Sequence, residues 1–176
     1  FKNGTDGNLK IAFDAIAAAS HPHHFLSVTS EGQTAIVATA GNDDCHVILR
    51  GGRQPNFDAQ SVAAACDAAA AAKAPCKLMV DMSHGNSSKK PENQLLVSQN
   101  IAAQLALGES RIFGVMVESH LVFGRQDLQA GQGLSDLTYG QSITDGCIGW
   151  DDSLEILQNL ANGVRARRLA ASRAAA

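Results

Sequence analysis

"LMVDMSHGNSSKK", residues 78–90, decides how this chain is read. Leu78, Met79 and Val80 form an apolar run too short and unbroken for an amphipathic helix, so they read as a buried strand. The run stops at Asp81, Ser83, His84 and Asn86, with Lys89 and Lys90 behind them. Reactive groups in parallel α/β folds collect where strands end at their carboxyl side. A histidine inside a knot of polar groups at such an exit therefore points to a wet, convergent site.

The same arrangement recurs along the chain. "CHVILRGG" (45–52) is a buried strand closed by Arg50 and two glycines, and "IFGVMVESHLV" (112–122) is another, carrying Glu118. "FKNG" (1–4) reads as the last residues of a strand, with Lys2 at its end and a start that looks cut. Helical stretches alternate with these runs. They are "NLKIAFDAIAAAS" (8–20), "DAQSVAAACDAAAAAKAP" (58–75) and "PENQLLVSQNIAAQLALG" (91–108). Asp58 suits an N-cap, Pro91 a first turn and Gly108 a helix exit, while Val97, Ile101 and Leu105 share one face. "HHFLSVTSEGQTAIVATAGN" holds two β-rich runs, 24–29 and 34–39, around a Gly-containing turn, which predicts a β-hairpin over 23–40. A polar, Gly-rich loop is expected from Gly124 to about Gly149. A final helix follows, capped by Asp151 or Asp152, with Leu154, Leu157, Ala161 and Val164 on its stripe. The terminal "AASRAAA" (170–176) reads as a frayed tail. Continuous apolar strands alternating with helices predict a parallel sheet covered by helices, with the hairpin inserted.

Composition narrows the function classes. The 176 residues are 45% hydrophobic and 18% charged, with a net charge of −3, which fits one globular domain spanning 1–176. A pI near 6.0 offers no basic face, so neither nucleic acid nor an anionic membrane is an expected partner. The four cysteines match no zinc module and no small disulfide scaffold, and a reducing compartment is the simplest reading.

Four strand exits carry Lys2, Arg50, His84 and Glu118, all polar or charged. Beside Gly51 and Gly52, the Arg50 guanidinium suits a carboxylate or phosphate, although a structural salt bridge would use it equally well. Glu118 follows an apolar run, and a buried carboxylate without a cation costs several kcal/mol, on the order of 3–5. With Asp145 of "SITDGCIGW" (142–150), His84 and Glu118 supply one imidazole and two carboxylates. That set suits a divalent ion such as Mn, Fe, Co or Zn with open positions for substrate. The histidines of "HPHH" (21–24) read as plain loop, and His46 and His120 as structural.

"FKNGTDG", the run 41–52, "DMSHGNSSK", "GVMVESHLV" and "YGQSITDGCIGW" together closely resemble the carboxyl-terminal half of type I 3-deoxy-D-arabino-heptulosonate 7-phosphate (DAHP) synthases. The resemblance implies half of a (β/α)8 TIM barrel, from the end of strand five to the final helix, with a hairpin ahead of strand six. It implies a transferase of the shikimate pathway, which condenses phosphoenolpyruvate with erythrose 4-phosphate and water. His84, Glu118 and Asp145 match three of four metal ligands, and Lys2 and His84 take the catalytic roles. Lys2 and Arg50 match groups that hold phosphoenolpyruvate, and Asp145 also meets the sugar hydroxyls. Phe25, Ser27 and Val37 match an effector site for an aromatic amino acid, though Glu31 stands where the turn often carries an aromatic residue. Cys147 matches a redox-sensitive cysteine beside the metal, able to pair with the ligand cysteine.

That ligand cysteine, a Lys-Pro-Arg-Thr loop and an arginine from strand four have no counterpart in this sequence. The expectation is therefore a portion of a longer cytoplasmic homo-oligomer, inactive without the amino-terminal half of its barrel. Two alternatives stay open on the residues alone: another metal-dependent barrel aldolase or hydrolase, and a non-catalytic half-barrel that pairs with itself.

Overall fold

The computed structural model describes residues 1–131 and 133–174. In chain order the elements are α1 (Lys10–Ala19), β1 (His23–Val28), β2 (Thr34–Thr39), β3 (Val47–Leu49), α2 (Ala59–Ala71) and β4 (Leu78–Asp81). Then come α3 (Asn93–Ala106), β5 (Ile112–Met116), β6 (Val122–Arg125), β7 (Gln141–Ser142) and α4 (Trp150–Ala174). The fold is mixed α/β. β3, β4 and β5 pair in parallel, in that order. Lys2 bridges to Ile48 on one side and Ser119 to Ile148 on the other, both in parallel. Five successive stretches thus lie side by side in sequence order. A doubly wound sheet would turn back on itself at a switch point.

Alternation along the strands sets the core. Val47, Leu49, Leu78, Val80 and Ile112 are buried against Val62, Ala65 and Ala69 of α2 and Val97, Ile101 and Leu105 of α3. Ile48 and Met79, between those positions, are only half-buried, and Phe113 is 53% exposed. One face of the sheet is therefore covered by helices, and the other carries apolar side chains without that cover. Asp58 caps α2 as its position suggested, accepting the Ser61 N–H at 2.9 Å and the Ser61 hydroxyl at 2.7 Å. β1 and β2 form a separate antiparallel ribbon with Phe25 opposite Val37.

Several expectations need correction. "IFGVMVESHLV" is not one strand: β5 stops at Met116. The backbone of Glu118 pairs instead with the Gln94 side chain, at 2.9 and 3.0 Å. The stretch expected to be loop from Gly124 holds the end of β6 and all of β7, which pair in parallel, and a 3-10 turn at Leu134–Asp136. α4 begins at Trp150, so Asp151 and Asp152 occupy its first turn rather than its cap. Ile156, Leu160 and Val164 pack on the core, whereas Leu154 and Leu157 are 49% and 63% exposed. An apolar stripe read at helical spacing fixes the period but not which of two adjacent faces turns inward. The expected tail is helical through Ala174, and residues 175–176 lie outside the described ones. Cys66 and Cys76, ten residues apart with Cα atoms 5.1 Å apart, form a disulfide between α2 and the approach to β4. That runs against four reduced thiols. No helix among the described residues is long and apolar enough to cross a membrane.

Candidate metal centre

Arg50 follows β3 directly, His84 comes three residues after β4, and Glu118 two after β5. The loop behind β4 is held in an uncommon shape. His84, Ser88 and Lys89 all have left-handed backbone, with φ of 53°, 54° and 60°. Such residues persist only where their surroundings over-determine them. Here the Gly85 N–H donates to the Arg50 carbonyl at 3.0 Å, and the Lys89 N–H to the His84 carbonyl at 2.8 Å. Gly51, with φ of 72°, lies so near this loop that a Cβ would sit 2.5 Å from the Asn86 nitrogen. Only glycine fits there.

Three asparagines knit these exits together. The Asn3 amide donates to the Gly51 carbonyl at 2.9 Å, and its Oδ1 accepts the Arg50 N–H at 2.8 Å. Asn56 accepts the Gly51 N–H at 2.7 Å and donates its own N–H to Asn86 Oδ1 at 2.8 Å. Asn86 then donates to the carbonyls of Leu49 and Asp81 at 3.0 and 2.8 Å. Buried polar networks of this kind, fully satisfied, make a site rigid.

The cluster forms at the centre of this frame. His84 Nε2 lies 3.4 Å from Glu118 Oε1 and 3.9 Å from Asp145 Oδ2. One donor atom from each residue falls within 4.8 Å of the others. Asp145 arrives because the chain beyond it runs beside the Glu118 exit. The Ile148 N–H donates to the Glu118 carbonyl, and the His120 N–H to the Ile148 carbonyl, both at 3.0 Å. Ser83 Oγ donates to Glu118 Oε2 at 3.0 Å, leaving Oε1 toward the imidazole. Ser83, His84, Lys89, Glu118, Asp145 and Gly146 line a cavity of about 140 Å³.

On the inner side sits Asp81, fully buried. Its Oδ2 accepts the Lys2 ammonium at 2.7 Å, and its Oδ1 the Ser83 N–H at 2.9 Å. His84 Nδ1 lies 2.8 Å from that same Oδ2 but outside hydrogen-bond geometry. Lys2 therefore neutralises Asp81, whereas neither Glu118 nor Asp145 is paired with a lysine or arginine among the described residues. Two carboxylates and an imidazole converge with no lysine or arginine paired to either carboxylate among the described residues, and this donor set fits a divalent ion. Burial pushes the Cys147 thiol upward, and the Glu118 and Asp145 carboxylates add to it against a lowering contact from Ser142. The thiol thus stays protonated at neutral pH.

The other expected residues fall as follows. The Arg50 guanidinium is half-buried and pairs with no carboxylate among the described residues. Phe25 and Ser27, two apart on β1, and Val37 opposite Phe25 share one face of the ribbon. The "HPHH" histidines form no donor cluster of three among the described residues, and His23 and His24 open β1 rather than lying in plain loop. Gln94, Asn3 and Asn56 were not expected to matter. Gln94 had a signal, since it continues the stripe of Val97, Ile101 and Leu105 as a polar residue at an apolar position.

Residues 1–158 match the family model described as the DAHP synthetase I family. A phospho-2-dehydro-3-deoxyheptonate aldolase of Haemophilus influenzae is 55% identical over 174 residues, covering 98% of this chain and 47% of that protein. A Phe-sensitive phospho-2-dehydro-3-deoxyheptonate aldolase of Escherichia coli K12 is 54% identical over 168 residues, covering 96% and 47%. The solved structure of a phospho-2-dehydro-3-deoxyheptonate aldolase from Francisella tularensis superposes with a TM-score of 0.85 at 45% identity. It covers 95% of this chain and 48% of that one. The chain spans about half the length of the curated relatives it matches.

Proposed function

The chain belongs to the DAHP synthetase I family, and from that premise we propose that it is the carboxyl-terminal half of a (β/α)8 synthase joining phosphoenolpyruvate to erythrose 4-phosphate. The observation that carries this reading is the convergence of His84 and Glu118, from the exits of two adjacent parallel strands, with Asp145 from the loop after β7, neither carboxylate being paired with a lysine or arginine among the described residues. The sequential strand order and the uncovered sheet face support a barrel whose other half supplies the cover and a fourth ligand.

In this reading Lys2 and Arg50 hold the phosphate and carboxylate of phosphoenolpyruvate, a substrate that the ligand carboxylates would otherwise repel. Arg50 suits that work because its fork pairs with no carboxylate among the described residues, and Lys2 because Asp81 holds its ammonium beside the site. A bound Mn, Fe, Co or Zn ion supplies Lewis-acid polarisation of the aldehyde oxygen. His84, Glu118 and Asp145 hold that ion, and Asp145, the most exposed of the three, also receives the sugar hydroxyls. The enol carbon of phosphoenolpyruvate bonds to the aldehyde carbon, water adds at C2, and the C2–O bond breaks to release phosphate. The hairpin face bearing Phe25, Ser27 and Val37 is an effector site, and phenylalanine is the first ligand to test because the Escherichia coli relative is named Phe-sensitive. A cytoplasmic homo-oligomer completes the reading, with Cys147 as its redox-sensitive thiol.

The test joins this chain to the amino-terminal half of the Haemophilus influenzae relative and follows phosphoenolpyruvate consumption. The expected result is turnover that needs erythrose 4-phosphate and stops on chelation. A folded hybrid that binds Mn²⁺ yet leaves phosphoenolpyruvate intact would overturn the reading.

A further inference from the structure

Helix α3 does more than cover the sheet. Gln94, in its first turn, is wholly buried, and both ends of its amide meet one residue. Oε1 accepts the Glu118 N–H at 2.9 Å, and Nε2 donates to the Glu118 carbonyl at 3.0 Å. A primary amide offers a donor and an acceptor in one plane, the pairing a neighbouring strand would offer. β5 has ended two residues earlier, so Gln94 takes the place of a strand at the position where Glu118 must be fixed. The Ile148 N–H, at 3.0 Å, fills the second lone pair of that carbonyl. Glu118 is thus tied at its backbone by α3 and by the chain before α4, and at its carboxylate by Ser83.

We infer that Gln94 is the positioning residue of the metal centre: it sets the Glu118 backbone so that Oε1 faces the ion beside His84. The inference rests on reading Glu118 as a ligand. Filling space does not account for Gln94, since the helix packs Val97 and Ile101 on the same face with no polar atom. Groups that orient a ligand without touching the ion typically hold about 10–100-fold in metal affinity.

The experiment titrates the hybrid enzyme, whose amino-terminal half completes the site, with Mn²⁺ alone, reading the free ion by electron paramagnetic resonance, beside thermal melts. Gln94→Met keeps the volume and removes both hydrogen bonds; it should weaken Mn²⁺ about 10–100-fold. Val97→Ala, buried on the same helix but making no hydrogen bond to Glu118, should lower the melting temperature yet leave Mn²⁺ affinity within about twofold. Wild-type affinity in Gln94→Met, or an equal loss in Val97→Ala, overturns the inference. Glu118→Gln separates the two layers. If it keeps wild-type Mn²⁺ affinity, or if the wild-type hybrid takes up no Mn²⁺, the ligand reading falls and takes the inference with it. If Glu118→Gln loses the ion while Gln94→Met keeps it, the inference falls alone. Should Gln94→Met fail to fold, amide exchange in the metal-free wild type decides. A slow Glu118 N–H supports the clamp, and one as fast as exposed loop amides sinks it.

Discussion

Glu109 and Glu118 stand at opposite ends of the same strand, and their surroundings could hardly differ more. Glu109, before β5, takes the Arg111 guanidinium on both oxygens at 2.9 and 2.6 Å, and its carbonyl accepts Arg167 at 2.7 Å. The Arg111 hydrogen bond holds its carboxyl below the usual range in spite of burial. Glu118, after β5, has a serine hydroxyl, an imidazole and a second carboxylate in reach, and no lysine or arginine paired to it among the described residues. Both side chains are mostly buried, at 11% and 23% exposed. Burial alone therefore separates nothing: the strand entrance is electrically closed, and its exit is left open for an external cation.

The sharpest way to break this contrast is to neutralise each glutamate in the hybrid enzyme. Glu118→Gln should cut turnover by roughly 10³-fold while leaving thermal stability level or slightly higher, because it removes an unpaired charge. Glu109→Gln should leave turnover unchanged. Next in size is stabilisation by metal. Mn²⁺ at a hundred times its dissociation constant should add about 2.7 kcal/mol, read as a rise in melting temperature. That rise should vanish in Glu118→Gln and persist in Glu109→Gln; the reverse pattern would exchange their roles.

Smaller again is the structural loss. Glu109→Gln should cost about 1–2 kcal/mol in urea unfolding at neutral pH. Its depressed folded value gives the sign: the contribution is complete above the ordinary value of 4.5 and drains away as pH falls through the folded value. Wild type and Glu109→Gln should therefore converge in acid, and parallel curves down to pH 3 would argue against the pair. The smallest effect sets a baseline. Lys10 and Asp14 form an exposed pair on α1 at 2.6 Å, and Asp14→Asn should change stability by less than about 0.5 kcal/mol.

The strand exits were legible because apolar runs end in charge, so Arg50, His84 and Glu118 announced themselves. Asp145 did not. Its spacing gave only a weak reason to group it with His84 and Glu118; the backbone pairing of Ile148 with 118–120 is what brings it there. β6 and β7 escaped notice because one is two residues long and the other ran on from an apolar stretch already assigned to β5. Leu154 and Leu157 misled because two neighbouring apolar faces of one helix share a period, and only the position of α3 selects between them. Gln94 was hidden by being a single polar residue, whose partner is a backbone rather than a side chain.

The loops carrying Lys2, Arg50 and His84 meet main chain to main chain. A methyl group added at Gly52 would lie 2.5 Å from the Gly7 nitrogen, and one at Gly85 2.8 Å from the Gly51 carbonyl carbon. The three cationic or imidazole groups therefore ride on one plate. An insertion in any of these loops would shift all three at once, so none of the three can be moved there alone. Heritable novelty has freer room in the β1–β2 ribbon, which hangs outside that plate.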